Sequence, residues 1–221
     1  AEVYNPRRLV NAEEKIAELK EEKAARLAAE IKEFVDKAAA LPTVAEIKEL
    51  TMQELKDEDE DGLQKTLTKV RNLYDSLPEE ALEDADVIRW EGYLTAKEDA
   101  FEEELEVANM VRELSVTRFD AGDENERWSV ELTFDDIEIK DLDGLVISLY
   151  RGNTKMGEQE ATQANIELER ARPGTATSPF FTNGREDEYW TKNMELLSGA
   201  PDRVVLTFEL DGETYTVRSN G

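Results

Sequence analysis

The sequence predicts a multidomain α+β protein in which a three-helix bundle with a long N-terminal helix is followed by an antiparallel β-sandwich. A change in composition near residue 114 indicates the division. Earlier residues are rich in Glu, Ala, Leu and Lys with apolar positions at helical spacing, whereas later residues are rich in Thr, Val, Phe, Gly and Asn and alternate in polarity. A length of 221 residues with 39% hydrophobic content allows a core in each half. We therefore place the domains at residues 1–112 and 113–221.

The first predicted helix covers residues 11–41, which contain neither Gly nor Pro. Asn11 suits a helix N-cap and Pro42 ends the helix. At 1.5 Å per residue this helix would be roughly 46 Å long, which is more than a compact three-helix unit needs. Apolar residues follow one side of it: Ile16, Leu19, Leu27, Ile31, Phe34, Val35, Ala38 and Leu41.

Two further helices are predicted before the β half. The second carries an apolar stripe whose members are spaced four, three, four and three: Leu63, Leu67, Val70, Tyr74 and Leu77. The third begins at Pro78, because Pro is tolerated in the first helical turn and Glu79 and Glu80 suit the positive end of the helix dipole. No Gly or Pro lies between Phe101 and Leu114. We therefore expect this helix to run directly into the second domain.

One helical phrase occurs twice, 84 residues apart. Residues 9–15 (LVNAEEK) align with residues 93–99 (YLTAKED), and we expect each phrase to open a long charged helix. Repetition at a fixed interval is typical of modular arrays. We therefore expect residues 1–24 to complete a preceding copy of the helical unit.

The β half shows alternation at residues 127–135 and a second strand at residues 145–150. The strongest pattern is a hairpin in which residues 204–210 and 213–217 flank Asp211-Gly212. Its register places Phe208 opposite Tyr215 and Leu206 opposite Val217, with both pairs on the buried face. Weaker strands at 113–119, 164–170 and 176–182 bring the total near seven. That number predicts a sandwich of immunoglobulin or fibronectin type.

Several phrases resemble known modules of large surface proteins of Gram-positive bacteria. Residues 31–34 (IKEF), 38–42 (AAALP), 70–80 (VRNLYDSLPEE) and 92–94 (GYL) resemble three-helix modules that occur there in tandem. Residues 177–181 (TSPFF) and 187–191 (DEYWT), with the terminal hairpin, resemble the immunoglobulin-like modules beside them. The resemblance implies a non-catalytic spacer, and an adhesive segment, of an exported protein at the bacterial cell surface, with the signal and anchor outside these residues.

The composition of the chain limits the partners that it can bind. The formal charge of −26 argues against binding to nucleic acid or anionic membranes and predicts a monomer. No apolar stretch is long enough to insert in a membrane. The absence of Cys and His removes most nucleophiles and the usual zinc and haem ligands, so we expect neither catalysis nor a cofactor. Two alternatives stay open. One is a glycosidase that uses paired carboxylates, although a sequence with 53 acidic residues does not show which carboxylates would form the pair. The other is a phage virion component.

The acidic connector suggests a calcium site. Asp57, Asp59 and Asp61, followed by Gly62, imitate the first half of an EF-hand loop. The twelfth position is Thr68, which cannot supply the bidentate carboxylate of such a loop. The other interpretation is an acidic helix N-terminus.

An aromatic group in the β half is a candidate ligand platform. Phe180, Phe181, Tyr189 and Trp190 could stack on a sugar ring, with neighbouring polar residues binding its hydroxyls. This favours a carbohydrate-binding accessory module as the alternative function, with a glycan or a host or cell-surface protein as partner. The other interpretation is that the same aromatic residues form sandwich core.

Overall fold

The computed structural model describes residues 6–120, 126–137, 141–160, 167–168, 175–182, 194–196 and 201–220. A helical half is followed by an antiparallel sheet half, as the sequence predicts. The helices are α1 (Pro6–Ala40), α2 (Val44–Ile47), α3 (Met52–Leu55), α4 (Leu63–Asp75), α5 (Glu79–Leu82) and α6 (Ala85–Asn109).

The long helices α1, α4 and α6 pack together with α1 and α6 parallel. Lys23 of α1 pairs with Glu80 of α5 at 2.5 Å, and farther along the bundle Lys97 of α6 binds carbonyl oxygens of Ala38 and Leu41. Both α1 and α6 therefore run in the same direction, and α6 continues beyond the end of α1. The buried apolar side chains of this part include Phe34, Ala38, Leu67, Val70, Val87, Leu94 and Phe101.

The predicted third helix is wrong in its bounds, because it is interrupted. A short α5 ends at Leu82 and α6 begins after Asp84, whose carboxylate accepts hydrogen bonds from the N–H groups of Asp86 and Val87. This side-chain cap starts a new helix, and such caps favour Asp. Helix α6 then stops at Asn109, and β1 begins at Val111 with no linker.

Two short helices fill the connection that the sequence analysis left without elements. Thr43 caps α2 and Thr51 caps α3, and in each case the carboxylate of a Glu three residues later accepts a hydrogen bond from the backbone N–H of the Thr. These reciprocal caps satisfy backbone groups that would otherwise lack partners. The apolar side chains Ile47, Met52 and Leu55 are buried, so this connection forms part of the core.

The sheet half contains strands β1 (Val111–Asp120), β2 (Glu126–Phe134), β3 (Gly144–Arg151), β4 (Thr154–Glu160), β5 (Glu167–Leu168), β6 (Thr175–Thr182), β7 (Met194–Leu196), β8 (Arg203–Leu210) and β9 (Glu213–Asn220). One sheet has the order β1-β2-β6-β5, with β7 parallel to β6. The second sheet has the order β4-β3-β8-β9 and is antiparallel throughout.

The predicted hairpin is confirmed with its register. Phe208 lies opposite Tyr215 and Leu206 opposite Val217. Asp211 and Gly212 both have positive φ, 54° and 82°, as the two-residue turn between twisted strands requires. The rings of Phe208 and Tyr215 stack with their centroids 5.3 Å apart.

The other predicted strands match less evenly. The expectations at 127–135, 145–150, 113–119 and 176–182 correspond to β2, β3, β1 and β6, whereas 164–170 covers only the two described residues of β5. Strands β4 and β7 were not predicted. Strand β4 follows the turn at Gly152, has a polar sequence and lies at the edge of its sheet, so it lacks the alternating apolar pattern.

An aromatic contact joins the two sheets. The rings of Phe134 in β2 and Phe208 in β8 meet edge to face with centroids 5.1 Å apart. Buried side chains on β2, β3 and β8 belong to one apolar cluster, and that cluster continues into the helical half without a break. The two halves therefore share a core.

Candidate functional site

The halves meet at a junction formed by α3, α6, β1 and β9. Met110 caps α6, and its carbonyl oxygen accepts a hydrogen bond from the N–H of Asp135 at 2.8 Å. The apolar side chains of Ala108, Val111 and Leu114, on either side of this turn, are all buried. The turn from α6 to β1 is therefore flanked by buried side chains both before and after it.

A chain of hydrogen bonds crosses the junction. The amide of Gln53 in α3 donates to the hydroxyl of Ser219 at 2.7 Å, and its oxygen accepts from the N–H of Asn220 at 3.2 Å. The Ser219 hydroxyl donates in turn to the carbonyl oxygen of Leu114 at 2.5 Å. Ser219 is fully buried, so its bond to the Leu114 carbonyl oxygen is shielded from water, whereas Gln53 and Asn220 are exposed. One serine therefore connects α3, β9 and β1.

Charged groups make a second set of contacts there. The Lys56 ammonium donates to the carbonyl oxygen of Val111 at 2.8 Å, and burial lowers the pKa of Lys56. Arg218 of β9 pairs with Glu49 at 3.0 Å. Loss of hydration raises the pKa of Glu104 in α6, although the positive charge of Arg218 opposes this rise. The junction therefore holds partly desolvated charges of both signs.

Lys97 is the most deeply buried charged side chain among those described, with 7% of its surface exposed. Its ammonium group donates to the carbonyl oxygens of Ala38 at 3.0 Å and Leu41 at 3.1 Å, and desolvation lowers its pKa. A buried lysine of lowered pKa is a common catalytic group. Here, however, its donors cap the C-terminal end of α1, where a cation also suits the helix dipole. The geometry gives Lys97 a structural role.

Arg71 joins α4 to α6. Its guanidinium binds Glu98 through two nitrogens, Glu91 at 3.3 Å and the hydroxyl of Thr95 at 2.9 Å. Hydrogen bonding to Glu98 raises the pKa of Arg71. Because both carboxylates are used by one guanidinium, this acidic pair is not arranged as the general acid and base that the glycosidase alternative needs.

Groups of the acidic connector, residues 57–62, bind to one another and to the following helix α4. The Asp57 carboxylate accepts the N–H of Asp59 at 2.9 Å, and Glu60 pairs with Lys65 and Lys69 at 3.3 and 3.2 Å. Throughout the described ranges, no group of three or more acidic side chains could hold a metal ion. The calcium site at Asp57, Asp59 and Asp61 gains no support from this geometry and stays a prediction.

The predicted aromatic platform is only partly described. Phe180 and Phe181 lie in β6, where they pair with Ser129 and Trp128 of β2. Tyr189 and Trp190 lie outside the described residues. The platform therefore also stays a prediction.

An open groove of about 340 Å³ lies between α4 and α6. Its floor is apolar and its rim carries two carboxylates. The lining residues are Gln64, Leu67, Thr68, Glu98, Phe101, Glu102 and Leu105. Glu98 is already bound by Arg71, so the groove offers Glu102 as its second carboxylate.

Sequence reasoning missed the residues that build the junction and the cap of α1. Lys97 carried one usable pattern, because it stands between Leu94 and Phe101 in an apolar stripe where a charge needs a partner. No sequence pattern marked Gln53, Lys56 or Ser219, because their hydrogen-bond partners are more than 50 residues away in the chain.

Comparison with protein-family models, curated proteins and solved structures finds no match for this chain. Among the described helices, none is long and apolar enough to span a bilayer. The fold and junction define a protein of mixed helical and antiparallel sheet structure whose two halves share one core.

Proposed function

We propose that the chain is a non-catalytic spacer segment of an exported bacterial surface protein, in which a helical rod carries the sheet half at a fixed angle. The junction is the observation that carries this proposal. A direct passage from α6 to β1 leaves no flexible linker, and Ser219 connects elements from both halves. Linkers between independent domains are usually exposed and polar, with few contacts across them.

The helical part has the dimensions of a rod. At 1.5 Å per residue, the 35 residues of α1 extend for about 52 Å. Helix α6 runs parallel to α1 and continues for twelve residues beyond Lys97, which adds about 18 Å. The sheets lie at that end, whereas the N-terminal half of α1 lies at the other.

Strand order supports an immunoglobulin-like sandwich for the sheet half. If β1, β2, β3 and β4 are lettered A, B, C and C′, and β5, β6, β8 and β9 are D, E, F and G, the sheets read A-B-E-D and C′-C-F-G. Immunoglobulin domains have this order. The extra strand β7 lies between E and F in sequence and pairs parallel to E.

Attachment of the sheet half favours display of a contact surface over extension of the rod. Strand β1 leaves the junction at Val111, and β9 returns to it at Ser219 and Asn220. Both ends of the sheet half are therefore held against the helices. In this arrangement the sheets form a head, which suits an adhesive role.

Distances between spin labels test the rigidity. The chain has no Cys, so labels can be placed singly at exposed positions. We expect the pair Ala28→Cys and Thr214→Cys, which spans the junction, to give a distance distribution as narrow as that of Ala28→Cys and Glu79→Cys within the helical half. A much broader distribution across the junction would contradict the proposal.

A glycan and host-matrix array tests the contact surface. We expect the intact chain to bind a component of the array and Trp190→Ala, which changes one residue of the predicted platform, to lose that binding. Equal binding by both proteins would place the contact surface elsewhere. If neither protein binds any component of the array, the chain would be a spacer without an adhesive role.

A further inference from the structure

The N-terminal half of α1 presents an apolar face that no other part of the described chain covers. Ile16 and Leu19, which share this face, are each 52% exposed. Ile16 precedes Phe34 by 18 residues, which is five helical turns, so the two side chains leave the helix in the same direction. Phe34 is completely buried in the bundle core. The line of core contacts along α1 therefore continues onto an open surface.

The charge of this segment differs from that of the rest of the chain. Residues 6–26 contain six basic and five acidic residues, a net charge of +1, whereas the other 200 residues contain 21 basic and 48 acidic residues, a net charge of −27. Repulsion between copies of this protein therefore arises outside the segment. The prediction of a monomer was based on the total charge and did not take this uneven distribution into account.

We propose that the uncovered half of α1 pairs with the same segment of a second copy, with the two helices antiparallel. The pairing buries Ile16 and Leu19 of both copies against each other, as apolar seams do in paired helices. A pair centred near Ile16 also places Glu13 beside Lys20 of the second copy. It leaves the Lys23–Glu80 contact, where the bundle begins, undisturbed.

Electrostatics select the antiparallel direction. A parallel pair would place two bodies of charge −27 side by side, whereas an antiparallel pair places them at opposite ends of the joined helices. The two-fold symmetry of the antiparallel pair also closes the assembly at a dimer. A single pair of helices of this length belongs to the small interfaces, below about 1,200 Å² in total, which are weak and reversible.

Sedimentation velocity of the full chain, from micromolar to millimolar concentration, tests the pairing. We expect the sedimentation coefficient of the wild type to rise with concentration and that of the double variant Ile16→Ala, Leu19→Ala to stay constant. Alanine favours helix, so circular dichroism should show an unchanged helix content. Ile88→Ala is the matched control, because Ile88 is 58% exposed on α6 and should leave the association intact. A wild type that stays monomeric throughout, or a double variant that associates equally, would overturn the proposal.

Disulfide trapping tests the direction. Ala12→Cys and Lys20→Cys, prepared separately and mixed, should form mostly the mixed 12–20 dimer, because these exposed positions lie beside Ile16 on the seam and an antiparallel pair centred near Ile16 brings them together. Preference for 12–12 and 20–20 dimers would show parallel helices and overturn the antiparallel arrangement. Addition of salt should strengthen the association by screening the two acidic bodies, and weakening by salt would contradict the charge argument.

Discussion

The amide of Gln53 and the hydroxyl of Ser219 lie 2.7 Å apart, although 166 residues separate them in the sequence. Gln53 belongs to a four-residue helix in the helical half, and Ser219 belongs to the last strand. This contact orients the sheets on the helices, because Ser219 also binds the first strand through the Leu114 carbonyl oxygen. The relative position of the two halves is thus determined by specific polar contacts within a shared core.

Removal of the Ser219 hydroxyl should destabilise the protein. Ser219→Ala leaves the carbonyl oxygen of the buried residue Leu114 without this donor, and an unsatisfied buried group costs about 1–3 kcal/mol. The exposed Gln53 amide can bond to water instead. Urea unfolding measures the loss. Ser76→Ala is the control, because the exposed Ser76 hydroxyl bonds only to the nearby Leu73 carbonyl oxygen. The free energy of unfolding of this variant should differ from that of the wild type by less than about 0.5 kcal/mol. Equal losses in both variants would contradict a special role for Ser219.

Lys97 should stabilise α1 through its two carbonyl contacts. Lys97→Met keeps much of the apolar stem but leaves the carbonyl oxygens of Ala38 and Leu41 without this donor, so we expect a loss of about 1–3 kcal/mol in thermal or urea unfolding. Lys20→Met, on the exposed part of α1, should have little effect. A gain of stability in Lys97→Met would show instead that burial of the ammonium outweighs its hydrogen bonds.

Two glycines should respond in opposite directions to alanine. A Cβ at Gly62 would lie 2.4 Å from the backbone oxygen of Asp57, so Gly62→Ala should destabilise the protein by about 1–3 kcal/mol. A Cβ at Gly92, inside α6, would meet open space, so Gly92→Ala should stabilise it by about 0.5–1 kcal/mol through helix propensity. Paired urea titrations give both signs, and a shift in the same direction would contradict the packing of the connector.

Glu104 should make stability depend on pH. Its pKa in the folded protein is raised above the ordinary value of 4.5, so the folded state holds this proton more tightly than the unfolded state does. Its contribution is therefore fully present below pH 4.5 and is lost as the pH rises through the folded pKa. Glu104→Gln, which mimics the protonated form, should be more stable than wild type at neutral pH and equal to it at pH 4.

The matched variant for this pH dependence is Glu106→Gln, an exposed residue of the same helix. Its difference from wild type should vary much less between pH 4 and pH 7. A Glu104→Gln variant that is less stable than wild type at neutral pH would show that attraction to Arg218 outweighs desolvation at this position.

Local patterns predicted much of the secondary structure. Pro42 followed the end of α1, and Asp211-Gly212 specified a turn and the register of β8 and β9. The paired caps of α2 and α3 were equally local, since Thr43 with Glu46 and Thr51 with Glu54 are recognisable in sequence. Those caps could have been predicted. Strand β4 could not, because its polar residues become a strand through pairing with β3.

The candidate site was much less predictable than the fold. Neither the acidic connector nor the aromatic residues of β6 gained support as a ligand site, whereas the junction that supports the spacer proposal was not foreseen. Gln53, Lys56 and Ser219 are unremarkable in the sequence, and each acquires its role from a partner in the other half.

By itself, the sequence determined that a helical half precedes a sheet half, the terminal hairpin and the acidic composition, because periodicity, turn chemistry and charge act over a few residues. Tertiary structure alone decided that the halves share one core, that Lys97 caps α1, and that Ile16 is exposed while Phe34, five turns later, is buried. The same apolar pattern runs through both parts of α1. Burial depends on whether α4 and α6 are present alongside, and that is a property of the packed chain.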